Sequence, residues 1–570
     1  MKSVNIVLAG AAGQGVQSAA AILGKTLMRL GYHVFSTQDY QSRVRGGHNY
    51  MRIRFSDERM HASIKRIDFL LAMNEESLHI HLPDLDHDGL AMCMEQDRGD
   101  VKDDRLRTLS PDVGPKAAGG AKFVGIKLLA MIFAMIDYKP ETLQNAARSY
   151  FGRKLKPELL QANLDAVAAV SDSVEAADIQ KLPFGAPNRE ERLLITGNDA
   201  IALGMIAGGV GVYVGYPMTP STGVLNAMAK YGTKAGIAVE QVEDEVAALN
   251  TAVGAAYAGA RAATGSSGAG ISLMSEALGL AGITETPVVI VDGQRAGPST
   301  GMATRSEQSD LLFVVHASQG EFPRAVLAPA LHDDAFQISA EAFNIAERWQ
   351  VPVFIMDDQV FADSECTCPE FDLTRVAIDR GSIAPEPDGP KLLKRYEVTD
   401  SGVSPRAFPV ISDWIVACDS HEHDEMGHLT DNMENRNSQN SKRMRKLQGM
   451  ADEFPGPRII GGPADDLLLC WGSTVGPVIE AARTLRDRGR SVAVAVFRYL
   501  HPMNVSRVAD ALSGYNRLIT VEGNYTGQLG KLLRMETGIE IYAHVSKTDG
   551  RLFTVEDVID LLEPVLGGES

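Results

Sequence analysis

Short unbroken apolar runs alternate with longer stretches of helical period along most of this chain. Runs at 4–9, 49–55, 69–73 and 90–94 read as strands. Between and after them, the spacing predicts helices over 16–30, 125–135, 140–150 and 157–172. The same alternation resumes with strands at 213–216, 237–239, 287–292 and 351–356. It resumes again with strands at 467–471, 492–497 and 517–521 and a helix over 475–486. Strands that alternate with helices predict an α/β chain of three domains with mostly parallel sheets. The expected boundaries are 1–185, a linker at 186–192 marked by proline, glycine and charge, 193–379, an irregular connecting region at 380–464, and 465–570. The connecting region contains His421, His423 and His428 among acids, which reads as a solvated surface segment rather than a metal site.

The most informative chemistry follows two of these strands. The run 212–214 ends in Gly215-Tyr216-Pro217-Met218-Thr219-Pro220-Ser221-Thr222. Two prolines fix the turn and leave Thr219 and Ser221 with hydroxyls at the mouth of the sheet, where α/β proteins bind ligands. Thr219 can donate to a keto or carboxylate oxygen. It can equally cap the next helix, as can Ser221 or Thr222. After 237–239 come Glu243, Asp244 and Glu245, then a helix rich in alanine and glycine. A first-turn acid on such a tightly packed helix is poorly hydrated and suited to proton transfer, although acids also complement a helix dipole there. Arg295 follows the strand 288–291, where its guanidinium can grip a carboxylate through two parallel hydrogen bonds or form a structural ion pair. Arg305 is a second candidate for a distal carboxylate.

Gly10 to Gly15 reads G-x-x-G-x-G, which is not the dinucleotide fingerprint G-x-G-x-x-G. A tight strand-to-helix turn is expected, with a helix start that can hold a phosphate. A nicotinamide-dependent dehydrogenase would have to rest on this turn alone.

The formal charge of −18 argues against a nucleic-acid surface. Five scattered cysteines without repeated C-x-x-C spacing argue against a disulfide framework or a cluster held within the chain, and favour a reduced, cytoplasmic setting. Cys366 and Cys368 are the only close pair and read as free thiols at a strand end. No apolar run reaches the roughly 20 residues of a membrane span.

The motifs at 215–222 and 243–248 recur with Ala263-Thr264-Gly265-Ser266-Ser267-Gly268-Ala269-Gly270, Gln294-Arg295-Ala296-Gly297-Pro298-Ser299-Thr300-Gly301 and Glu307-Gln308-Ser309-Asp310, in this order. Together they resemble the alpha subunit of the 2-oxoacid:ferredoxin oxidoreductases. The first domain resembles the family's gamma component, with Arg43-Val44-Arg45-Gly46-Gly47-His48 as its signature. The second resembles the domain that binds the pyrimidine of thiamine diphosphate. The third resembles the transketolase C-terminal type, with Gly472-Ser473-Thr474 and Glu522-Gly523-Asn524 as markers.

The resemblance implies roles. Glu245 would hold N1′ of the aminopyrimidine and favour the imino tautomer that takes the thiazolium proton. Tyr216, Pro217 and Thr219 would line the cofactor; Thr219, Arg295 and Arg305 would bind the 2-oxoacid. Arg43 and Arg45 would meet coenzyme A phosphates, or serve a domain interface. Gly-Asp-Gly, which carries Mg²⁺ in this family, does not occur; Val291-Asp292-Gly293 lacks the first glycine. A beta subunit is therefore expected to bring Mg²⁺, the diphosphate contacts, a [4Fe-4S] cluster and the docking surface for ferredoxin, in a dimer of heterodimers. Domain order points to 2-oxoglutarate, oxidised to acyl-CoA and carbon dioxide with ferredoxin reduction; the reverse direction is chemically allowed. Pyruvate and branched-chain or aryl 2-oxoacids are the alternatives, as is a non-catalytic assembly subunit.

Overall fold

A computed structural model describes residues 2–41, 46–115, 123–152, 154–175, 178–185 and 190–567. The chain divides into two compact units. The first comprises the chain to Ile195 with Ser364–Glu370 and Thr554–Glu556; the second comprises Thr196–Asp363, Phe371–Phe553 and the residues from Asp557 on.

The first unit is built on an eight-stranded sheet in the order Leu106–Leu109, Leu85–Met94, Ile67–Ala72, Val4–Ala12, Gly46–Ser56, His33–Asp39, Glu365–Pro369, Arg192–Thr196. One half is parallel. The long strand Gly46–Ser56 runs antiparallel to both its neighbours, so the sheet is mixed. The helix Val16–Leu30 buries Ala19, Ala20, Leu23 and Leu27 at helical spacing and ends on Gly31 in the left-handed region. Cys366 and Cys368 are buried in the strand Glu365–Pro369. That strand and Arg192–Thr196 join the first sheet, although both lie in or beside the stretch assigned from sequence to the second domain.

The second unit holds two sheets. The larger has the order Tyr499–His501, Ala325–Leu327, Pro352–Asp358, Val288–Gln294, Ala262–Ser266, Val212–Gly215, Ala238–Gln241. All but its first pairing are parallel. Val288–Gln294 is buried at every position, as a central parallel strand covered on both faces requires. The smaller sheet has the order Arg458–Ile460, Val492–Phe497, Asp466–Trp471, Arg517–Glu522, Ala543–Ser546. One continuous apolar core runs from Val214, Leu249 and Ile290 to Leu467, Trp471 and Ala493, so both sheets belong to one compact unit.

The region 380–464 is less irregular than its composition suggests. It contains a 21-residue helix, Met433–Glu453, whose buried side chains include Lys442, Arg443 and Lys446. Lys442 Nζ lies 2.7 Å from Glu285 Oε1 and Lys446 Nζ 2.5 Å from Glu285 Oε2. Arg395 adds a bond to the Glu285 carbonyl. His423 also departs from expectation: it is fully buried, its ring 3.9 Å from that of Tyr396, and Asn435 donates to its carbonyl. His421 and His428 are exposed. Among the described residues no helix is long and apolar enough to cross a membrane.

Candidate active site

Three adjacent parallel strands deliver the candidate residues to one edge of the larger sheet. Val212–Gly215 runs into the Tyr216–Ser221 turn, Ala262–Ser266 into the helix Gly268–Leu273, and Val288–Gln294 into Arg295. Ligands of α/β folds bind at such carboxyl ends.

The helix Glu245–Tyr257 resolves which of the three neighbouring acids does what. Asp244 is the N-cap, its carboxylate accepting from the Ala247 N–H at 2.7 Å. Glu243 is exposed, whereas Glu245 is only 3% exposed. The Ser266 hydroxyl donates to Glu245 Oε1 at 3.2 Å. Among the described residues no hydrogen bond engages Oε2. Ser266 Oγ also lies 3.6 Å from Met218 Sδ, which ties the acid to the proline-braced turn.

In that turn the Thr219–Pro220 peptide is cis. Arg295 Nη1 donates to the Thr219 carbonyl at 3.0 Å, so the structure brings these two candidates together. Arg295 Nε is buried without a hydrogen-bond partner, and burial lowers the ease with which this guanidinium carries its charge. Both features suit a cation waiting for a carboxylate. Thr219 does not cap the next helix: Ser221 occupies the N-cap without a side-chain bond. The Thr219 hydroxyl has no hydrogen-bond partner among the described residues. Tyr216 is half-buried and Pro217 exposed at the rim. A Cβ on Gly293 would fall 3.0 Å from Pro220 Cγ and 3.1 Å from the Ser221 nitrogen, so the Arg295 strand approaches the turn that closely only with glycine there.

Beneath the turn lies a pocket of acids. Asp292 is fully buried and both its oxygens lack partners. Burial, then the Asp310 and Asp357 carboxylates, raise it well above the ordinary carboxylate range. Burial and then Glu307 push Asp310 up to about 6. This shift favours the neutral form of Asp292, which eases the cost of an unpaired buried charge.

Arg305 lies on the loop after Arg295. Its N–H donates to the Met302 carbonyl, its own carbonyl accepts from Ala296, and its side-chain stem lies against Gly550. Gln308, three residues on, is a clamp that sequence reading did not single out. Its amide donates to the Trp471 carbonyl and accepts from the Gly523 N–H, while Asn524 donates to its carbonyl. The C-terminal motifs around Gly472 and Gly523 thus hold the loop that follows Arg295.

In the first unit, the turn before Val16–Leu30 opens onto a cleft of about 480 Å³ lined by Gly13, Gly15, Gln17, Tyr40, Asn49 and Tyr50, among others. The helix begins on Gly15 with no side-chain cap and no acid in its first turn, leaving N–H groups free for an anion. Arg43 and Arg45 lie outside the described residues.

Ser266 and Gly270 were also missed as site residues. The motif containing them was visible, but nothing local in the sequence shows which side chain of a Ser-Ser-Gly-Ala-Gly run meets a distant glutamate.

Comparison with known proteins supports the family resemblance. Residues 203–442 match the family described as pyruvate flavodoxin/ferredoxin oxidoreductase, thiamine diP-binding. Residues 5–173 match pyruvate ferredoxin/flavodoxin oxidoreductase, and 464–558 match pyruvate:ferredoxin oxidoreductase core domain II. The alpha subunit of 2-oxoacid:ferredoxin oxidoreductase 2 from Aeropyrum pernix is 32% identical, over 97% of this chain and 96% of its own. The 2-oxoglutarate oxidoreductase subunit KorA of Mycobacterium tuberculosis is 28% identical, over 100% of this chain and 92% of its own. The solved 2-oxoglutarate:ferredoxin oxidoreductase from Magnetococcus marinus, with 2-oxoglutarate, coenzyme A and succinyl-CoA bound, superposes with a TM-score of 0.91 at 28% identity, covering 99% of this chain and all of that one. The chain belongs to the alpha-subunit family of the 2-oxoacid:ferredoxin oxidoreductases.

Proposed function

We propose that this chain contributes the proton-relaying half of a thiamine diphosphate site in a 2-oxoglutarate:ferredoxin oxidoreductase. The observation that carries the reading is Glu245: a buried carboxylate at a helix start, one oxygen held by Ser266 and the other left for a ligand. A buried acid with a free oxygen fits the aminopyrimidine N1′, which needs a proton partner in a site that excludes water. When bound, thiamine diphosphate supplies the carbon nucleophile and the ring that accepts the electron pair as carbon dioxide leaves.

The chain's own residues do the rest of this half. Glu245 holds or releases a proton at N1′. Tyr216 and Pro217 form the rim of the pocket. Thr219 donates its hydroxyl to the keto or carboxylate oxygen of the substrate. Arg295, anchored through Nη1 to the Thr219 carbonyl, presents its remaining N–H groups to the carboxylate. Arg305 serves the distal carboxylate that distinguishes 2-oxoglutarate from pyruvate. The relatives named for 2-oxoglutarate support that substrate.

A beta subunit supplies Mg²⁺, the diphosphate contacts and a [4Fe-4S] cluster that passes electrons singly to ferredoxin, in a cytoplasmic dimer of heterodimers. Val246, Leu273 and Met302 support a partner here: these large apolar side chains are exposed on segments that carry the site. Coenzyme A enters through the first unit's cleft, its phosphates on the Gly15 helix start and on Arg43 and Arg45.

The test is co-purification with the native beta subunit, then a panel of 2-oxoacids read by viologen or ferredoxin reduction. The expected result is coenzyme A-dependent reduction, fastest with 2-oxoglutarate. Faster turnover of pyruvate or a branched-chain acid would overturn the substrate; no reduction with any 2-oxoacid would overturn the reaction.

A further inference from the structure

Among the described residues the Glu245 carboxylate makes one hydrogen bond, and the donor comes from the strand Ala262–Ser266. Ser266 is fully buried, sits at the last position of Ala262–Ser266, and reaches Oε1 across 3.2 Å. Its only other hydrogen-bonding neighbour among the described residues is the weak acceptor Met218 Sδ, at 3.6 Å. The hydroxyl therefore gains most by donating to the carboxylate.

The Gly270 backbone borders the same side of the carboxylate, beside the Ser266–Glu245 contact. A Cβ built on Gly270 would fall 2.6 Å from Glu245 Oε1 and 2.8 Å from its Cγ, and would also collide with Ser266 Oγ. Gly270 lies in the helix Gly268–Leu273 and its φ is not in the left-handed region, so it is the space, not backbone freedom, that requires glycine. The hydroxyl bond and the bare backbone packed beside it hold Oε1 in place, with no room for a side chain at position 270. With Oε1 fixed, the carboxylate plane can turn little, and Oε2 is the oxygen that remains for a ligand.

We propose that Ser266 is the positioning residue for Glu245, and that Gly270 provides the clearance in which the pair sits. Ser266 touches neither cofactor nor substrate; it acts by removing the rotational freedom of the acid, so that Oε2 does not have to be ordered at each turnover. The inference rests on the assignment of Glu245 given above and extends it to the residues that aim the acid.

The test uses the complex assembled with its native beta subunit and loaded with thiamine diphosphate and Mg²⁺. Two quantities are read: exchange of the cofactor's C2 proton in D₂O, quenched and followed by NMR, and steady-state kcat and KM. Ser266→Ala is expected to slow C2 exchange and kcat together by about 10-fold, the scale of one lost bond to a charged acceptor. KM for the 2-oxoacid should stay within about twofold, because substrate contacts are untouched. Ser266→Thr, which restores a hydroxyl, is expected to recover most of the exchange rate. Ser266→Cys keeps the volume with a weaker donor and serves if the alanine variant does not fold; it should fall between serine and alanine. Wild-type exchange in Ser266→Ala, or in the cysteine variant, overturns the proposal, as does a threonine variant no better than alanine. Glu245→Gln, run in parallel, separates the two claims. If that change leaves exchange intact, the role of Glu245 is wrong. If it slows exchange while Ser266→Ala does not, only the role of Ser266 is wrong.

Discussion

Two glutamates forty residues apart in this chain are almost equally buried, Glu245 at 3% and Glu285 at 1% exposure, yet their surroundings differ in kind. Glu285 is saturated. Both its oxygens meet lysine ammonium groups, and its main chain accepts from Arg395. Burial alone would raise its carboxyl, but Lys446, Lys442 and Arg395 outweigh that and hold it far below the ordinary range. It stays ionised at any working pH. Glu245 has one hydroxyl donor and one oxygen without a partner. Burial by itself therefore says little about an acid's task. The inventory of partners separates a group that ties the long charged helix to the body from one with bonding capacity held in reserve.

That contrast breaks most sharply at Glu245. Glu245→Gln in the assembled complex should cut turnover by roughly 10²–10⁴-fold, with a melting temperature close to wild type. Unchanged turnover would make Glu245 a structural acid like its counterpart. Glu285→Ala should do the reverse. It leaves Lys442 and Lys446 buried and unpaired and should cost about 3–5 kcal/mol of stability, measured by chemical denaturation, while turnover per folded molecule stays near wild type. A stable Glu285→Ala chain would show that the lysines find water or each other's space cheaply.

Arg295→Lys keeps the charge but loses the planar fork. It should lower kcat/KM for the 2-oxoacid by about 10- to 100-fold, mainly through KM. A loss confined to kcat would place Arg295 on the reacting carbon instead of the carboxylate. The smallest effect is expected at Asp310, which burial and Glu307 raise from 3.8 to about 6. A carboxyl raised in the folded state favours folding fully below its unfolded value and loses that contribution as pH climbs through the folded value. Asp310→Asn should therefore melt increasingly higher than wild type as pH goes from about 4 to 7. Parallel curves across that window would mean the acid is paired or hydrated in solution.

Much of this molecule is legible in its sequence, and the parts that are not share a cause. The helix Val16–Leu30 and the strand Val492–Phe497 follow directly from local periodicity. The helix Met433–Glu453 does not, because the side chains it buries include Lys442, Arg443 and Lys446, made tolerable by acids far along the chain. His423 misleads in the same way: its neighbours are polar, but Tyr396 and Asn435 enclose it. Membership of a sheet is equally non-local. Nothing within Glu365–Pro369 announces that it pairs with His33–Asp39. At the site, local pattern alone does not separate the three adjacent acids; the family resemblance singles out Glu245, and the fold adds that Asp244 caps the helix. Thr219 and Arg295 were each readable from their strand ends; that one bonds the other required the fold.

The Gln308 clamp has a consequence for how substitutions in this chain will be read. Its amide is shared between the carbonyl of Trp471 and the N–H of Gly523, so two distant backbone segments set the slack in the loop behind Arg295. A saturation scan ranked by distance from the reacting carbon would score the C-terminal domain as bystander territory. Positions 472 and 523 should nevertheless behave as tuning screws for substrate choice, and variants selected for a new 2-oxoacid are a natural place to look for them.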